Sequence, residues 1–137
     1  MMKVLVALMV VLVANGTLHA QKKATAKENN VRSITEYKQD IEKNGPQLKE
    51  AYILYDKAGN ILEEIEYDSE GRVKTHFKYQ YDANNNKIKE IEINPSGKTV
   101  RVNEYKYNSN NLRIERNTYD GAGKLKSKRT YQYEYQN

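Results

Sequence analysis

Tyr55-Asp56-Lys57-Ala58-Gly59-Asn60-Ile61, Tyr67-Asp68-Ser69-Glu70-Gly71-Arg72-Val73 and Tyr119-Asp120-Gly121-Ala122-Gly123-Lys124-Leu125 are three copies of one seven-residue pattern. Looser copies fill the space between them. Gly45, Gly59, Gly71, Asn85, Gly97, Asn111 and Gly123 follow one another at intervals of 14, 12, 14, 12, 14 and 12 residues. Four residues before each stands Ile41, Tyr55, Tyr67, Tyr81, Ile93, Tyr107 or Tyr119. The chain is one motif repeated seven times with a super-period of 26 residues. The fifth residue of the motif is Gly five times and Asn twice. That choice has one physical reason: a type I turn closed by a residue at positive φ suits only Gly, and after it Asn. Asp or Asn at the head of the turn bonds its own backbone two residues on.

Between the turns the polarity alternates. Val73, Thr75, Phe77, Tyr79 and Tyr81 fall on one face of a strand, and Lys74, His76, Lys78 and Gln80 on the other. Strands joined by such short loops pair as antiparallel neighbours. The expected fold is therefore all-β, an antiparallel meander of about eight strands. They are expected at 31–40, 47–56, 60–68, 72–82, 87–94, 98–108, 112–120 and 124–136. The 12/14 alternation staggers successive hairpins, which suits an elongated, twisted sheet and, if continued, a curl toward a barrel. Aliphatic residues are few, and Leu62, Ile88 and Ile114 interrupt the alternation, which favours the open sheet. Val31, Ile34, Tyr37 and Ile41 also fit helical spacing, so a short helix is the alternative for 31–41.

Residues 1–20 read as a secretory signal peptide: Lys3 is the one charge, Val4 to Ala14 are apolar, and small residues follow. The run is shorter than the roughly 20 residues that span a bilayer, so no transmembrane anchor is expected in the mature chain. Cleavage after Ala20 exposes Gln21; cleavage after Gly16, with Ala14 at the third position upstream, fits the small-residue rule better. The expected destination is the periplasm or the exterior. Residues 21–30 are polar and aperiodic, a flexible leader, and 31–137 form a single repeat domain. The absence of cysteine excludes disulfides, thiolate metal sites and a lipid-anchored amino terminus.

The Tyr-Asp-x-x-Gly pattern followed by a polar and then an aliphatic residue, as at Tyr55–Ile61, Tyr67–Val73 and Tyr119–Leu125, resembles the YD repeats of Rhs-type proteins. With its leader, the chain resembles small secreted Bacteroidota proteins of unknown function built from such hairpins. The resemblance covers residues 41–137 and implies repeated hairpins in a coiled sheet. The large relatives build shells around toxins or cell-surface scaffolds, but this chain is too short for a shell. It departs from the pattern at Ile93 and at Asn85 and Asn111.

Candidate chemistry is sparse. His76 is the one histidine beyond the leader and stands between lysines on a polar face, where it reads as a solvated strand residue. Without cysteine it cannot complete a zinc site, and no metal or cofactor is expected. The serines lack a nucleophile-elbow setting. Glu64/Glu66 and Glu90/Glu92 share strand faces at about 6.6 Å, a glycosidase-like separation, yet open faces neither exclude water nor raise a pKa. The aspartates read as turn caps rather than calcium ligands. A secreted hydrolase is thus the last of three readings, and catalytic residues are expected to be none.

Tyr79/Tyr81, Tyr105/Tyr107 and Tyr131/Tyr133 are ring pairs 26 residues apart, with Ile53/Tyr55 in the same frame. Scarce aliphatics favour these rings as the core of the sheet. An exposed strip for protein or glycan contact is the other reading, and these six tyrosines are then the binding residues. Residues 36–70 hold ten acids and four bases (−6), and residues 71–137 hold seven acids and fourteen bases (+7). That gradient can orient a partner or a neighbouring copy, although Lys124, Lys126 and Lys128 are charges that discourage edge pairing. The bases form no dense block, so nucleic acid is not an expected partner. The chain thus reads as an exported, non-enzymatic structural or interaction module for an unknown protein or cell-surface glycan. A small carbohydrate-binding module is the alternative.

Overall fold

Six of the seven hairpins of the sheet, all but the first, are built on one local device. In the computed structural model, which describes residues 23–136, the Asp56 amide donates to the Asn60 carbonyl at 2.9 Å and the Gly59 amide to the Asp56 carbonyl at 3.0 Å. The Asp56 carboxylate accepts the Ala58 and Asn60 amides, both at 2.8 Å. The same four bonds recur at Asp68, Asp82, Asn94, Asn108 and Asp120. Left-handed backbone closes each turn, as at Gly71 (φ 78°) and Asn85 (φ 62°). Every buried or half-buried amide of the turn thus has an acceptor within its own five residues.

These turns link eight strands: β1 Ser33–Lys38, β2 Leu48–Tyr55, β3 Ile61–Tyr67, β4 Val73–Tyr81, β5 Lys87–Ile93, β6 Thr99–Tyr107, β7 Arg113–Asp120 and β8 Leu125–Thr130. They form one antiparallel meander in sequence order. β1 and β8 are the two edges, so the sheet is open and not closed into a barrel. Among the described residues no helix is long and apolar enough to cross a membrane. The calls on residues 1–20 lie outside the described residues.

Four details differ from the expectation. The interruptions at Leu62, Ile88 and Ile114 are bulges: Tyr55 faces Ile61 while Leu54 faces Glu63, and β4–β5 and β6–β7 repeat that skip. The extra residue restores the alternation, so both tyrosines of each pair stay on one face. In the first turn the left-handed residue is Asn44 (φ 47°), not Gly45, because this connection is longer than the others. Residues 23–28 of the expected flexible leader are helical, and Ala26 (2% exposed) packs against Ile53 and Tyr55. Small, apolar Ala26 on an otherwise polar stretch is enough to seat one turn on the sheet. The last strand ends at Thr130 rather than 136. Residues 33–38 are strand, so the helical alternative for 31–41 does not hold.

A single sheet without a second layer cannot bury much. The hydrophobic core among the described residues is a small cluster of Ala26, Ile53 and Tyr55, with Val31, Ile34 and Ile61 partly buried against it. Beyond β2 and β3, tyrosine, asparagine and paired charges take over that work on the same face.

Candidate functional site

The face that carries Ile53 and Tyr55 continues across the sheet through cross-strand pairs: Tyr79 faces Glu90, which faces Asn103, which faces Thr118. These groups are joined. Lys87 Nζ donates to Glu90 Oε2 at 2.7 Å and Asn103 Nδ2 to Glu90 Oε1 at 2.9 Å. Asn103 Oδ1 accepts Thr118 Oγ1 at 2.8 Å and Arg116 Nη2 at 3.3 Å. Asn103 is 1% exposed, and its amide is satisfied on both sides, as a buried polar group requires. Burial pushes the Glu90 carboxyl up, but the hydrogen bond and charge of Lys87, with the Asn103 amide, outweigh it and hold the group below the usual range.

The tyrosines are pinned at both ends. Tyr81 donates its hydroxyl to the Ile61 carbonyl at 2.8 Å, Tyr107 to Lys87 at 2.7 Å and Tyr133 to Arg113 at 2.6 Å. Each bond spans 20 residues, and successive bonds are 26 residues apart. The buried Tyr55 hydroxyl has no hydrogen-bond partner among the described residues. Cations cover the other ring of the first two pairs: Lys87 Nζ lies 4.8 Å from the Tyr79 centroid, and the Arg113 guanidinium carbon 4.2 Å from that of Tyr105. Tyr79 also donates to Glu64 Oε2 at 3.2 Å. Burial and then the Glu64 and Glu90 charges push the Tyr79 phenol up; burial, followed by the Asp56 charge, pushes Tyr81 up to about 12.

A second ladder runs along the turns. Asn60 Nδ2 donates to Asn85 Oδ1 at 2.8 Å, and Asn86 Nδ2 to Asn111 Oδ1 at 2.9 Å. Asn60 is 2% exposed and also accepts Lys23 Nζ at 2.6 Å, which ties the helix to the sheet.

Together the two ladders border an open groove of about 570 Å³. Tyr79, Tyr81 and Tyr107 line it, with Glu64, Lys87 and Arg113 supplying charge and Asn85 and Asn86 supplying amides. Tyr105, 8% exposed, lies beneath Arg113. Tyr131 and Tyr133 are not part of the groove; they are 36% and 41% exposed beyond β8. Of the six candidate tyrosines, Tyr105 is therefore buried, Tyr79, Tyr81 and Tyr107 are half-buried, and Tyr131 and Tyr133 are exposed.

On the opposite face His76 is not solvated as its lysine neighbours suggest: its Nε2 lies 2.7 Å from Glu63 Oε1, with the side chain 18% exposed. No group of three metal-ligating side chains occurs among the described residues. Sequence reasoning missed Lys87 and Arg113, although their 26-residue spacing in the tyrosine frame was a signal. Asn103 had no such signal: Ala51, Phe77 and Arg129 occupy its place in the other units. No protein-family model matches the chain, and no curated protein matches it.

Proposed function

We propose that the protein is an exported, non-enzymatic structural or interaction module that presents the tyrosine face of its repeat sheet to a protein or cell-surface glycan. The observation that carries this reading is the groove whose rings are fixed in advance. Tyr81 and Tyr107 are held by their hydroxyls, so a partner stacking on them costs little side-chain entropy. Equivalent rings stand on every second strand, roughly 9–10 Å apart. Export rests on the apolar run Val4 to Ala14 and the small residues after it. The likeness to YD repeats supports the structural part of the reading and supplies no activity.

A carbohydrate ligand is the second reading, favoured by the amides of Asn85 and Asn86 and the cations Lys87 and Arg113 beside the rings. A glycan array probed with the protein tests it. Binding that is lost in Tyr81→Ala/Tyr107→Ala, with the fold retained by circular dichroism, selects the glycan; an array without hits leaves a protein partner. Turnover of peptidoglycan, oligosaccharides or peptides, abolished in Glu64→Gln, overturns the non-enzymatic reading. Amino-terminal sequencing of the exported protein is expected to start at Gln21 or Thr17.

A further inference from the structure

The strands belong to two alternating classes. β2, β4, β6 and β8 lead into the ring pairs Ile53/Tyr55 through Tyr131/Tyr133. β3, β5 and β7 are return strands, and β1 is a fourth of the same class. Glu36 of β1 faces Ala51, just as Glu90 of β5 faces Asn103 and Arg116 of β7 faces Arg129. Ala51, Asn103 and Arg129 occupy one position of the 26-residue frame, so β1 holds the place of a return strand in its hairpin.

Every other return strand also pairs on its far side with a ring strand: Tyr79 faces Glu90, and Tyr105 faces Arg116. β1 has no such neighbour, and β8 has no return strand after it among the described residues. The effect on β8 is visible. β4 and β6 remain strand through their second tyrosines, Tyr81 and Tyr107. β8 stops at Thr130, and Tyr131 lacks the cation that the following strand brings to Tyr79 and Tyr105. One edge lacks what the other edge is.

We propose that a second copy of this chain completes both edges: β1 of one copy pairs antiparallel with β8 and the Tyr131–Tyr135 segment of another. The frame sets the register, with Glu36 opposite Tyr131 and Thr35 opposite Gln132, as Arg116 faces Tyr105 and Glu115 faces Lys106. The strand count is even, so β1 of the next copy arrives antiparallel to β8 with its faces already matched. The helix at 23–28 leaves the outer edge of β1 open, because it turns inward onto Ile53, Tyr55 and Asn60. Overall charge agrees, since the −6 half of one copy meets the +7 half of the next. In the pairing itself exposed Arg129 lies diagonally opposite exposed Glu36 but directly opposite Lys38, whose ammonium is drawn toward Glu50 at 3.9 Å. The edge lysines oppose this pairing less than their number suggests, since Lys126 and Lys128 reach back to Asp120 at 3.7 Å and Glu115 at 3.4 Å. The contact is heterologous rather than two-fold, so it links each copy to two others instead of forming a symmetric dimer.

The absence of cysteine makes the test direct. The full chain carrying Thr35→Cys and Gln132→Cys, purified as the cell processes it and oxidised, is expected to give a ladder of dimers, trimers and larger species on a non-reducing gel. Each single variant is expected to remain monomeric. Dimers from Gln132→Cys alone point to a symmetric β8–β8 contact and overturn the proposal, as does a double variant that stays monomeric. Sedimentation of the unmodified chain provides the second readout. An unmodified chain that is monomeric from micromolar to millimolar concentration overturns the proposal.

Discussion

The hydroxyl of Tyr107 donates to the backbone carbonyl of Lys87 at 2.7 Å, reaching across the β5–β6 hairpin from the end of one strand to the start of the other. That single bond ties a ring of the groove to the strand whose lysine is paired with Glu90. Removing the hydroxyl while keeping the ring isolates its contribution. Tyr107→Phe is expected to lower stability by about 0.5–1.5 kcal/mol, read as a lower urea midpoint at constant slope. An unchanged midpoint means the tether contributes nothing to the folded state.

Gly71 closes the β3–β4 turn at φ 78°, and a Cβ built there meets nothing within 4 Å. The cost of a side chain is therefore backbone strain alone. Gly71→Val is expected to cost about 1–3 kcal/mol, and Gly71→Asn much less, because Asn85 and Asn111 already hold the same conformation. Thermal melts of the two variants check the order; equal melting temperatures contradict it.

Acid should act first on the turns. The Arg72 amide lowers the pKa of Asp68, the Asn86 amide that of Asp82 and the Lys124 amide that of Asp120, each by hydrogen bonding to the carboxylate. A carboxyl whose folded pKa lies below its ordinary value stabilises the fold above that ordinary value, here 3.8, and loses the contribution as pH falls through the depressed one. Stability measured by denaturant should hold steady through neutral pH and fall below about pH 4. Asp68→Asn/Asp82→Asn/Asp120→Asn should flatten that fall.

Alkali should act on the ring face. Burial, followed by neighbouring carboxylates, raises Tyr79 and Tyr81, the latter to about 12. A phenol raised in the folded state contributes stability that is complete below its ordinary value of 10.0 and lost as pH climbs toward the raised one. Ultraviolet titration should show these two ionising above their ordinary value, Tyr81 at about 12. Tyr81→Phe should remove one late-titrating group. A single titration step for all the tyrosines contradicts the ring-face assignment.

The fold was legible because turn chemistry is local. Positive φ admits few residue types, so the Gly and Asn spacing marks the hairpins, and all eight strands fall within the expected segments. The first hairpin was less legible: its longer connection lets Asn44 take the left-handed position. The site was only half legible. The tyrosine pairs announce themselves by period, but burial depends on the neighbouring strand, so one repeated pair is covered at Tyr105 and bare at Tyr131. Asn103 and the His76–Glu63 contact arise from cross-strand geometry and have no one-dimensional signature.

The tyrosine tethers and the asparagine bonds connect each unit only to the unit beside it. Excising residues 81–106 would therefore bring Tyr107 to the seat of Tyr81, with the Ile61 carbonyl waiting for its hydroxyl and Asn60 meeting Asn111 in place of Asn85. The tethers and turns recur unit by unit, so the length of this protein can change by 26-residue steps wherever the contacts particular to one unit, such as those of Asn103, are refitted.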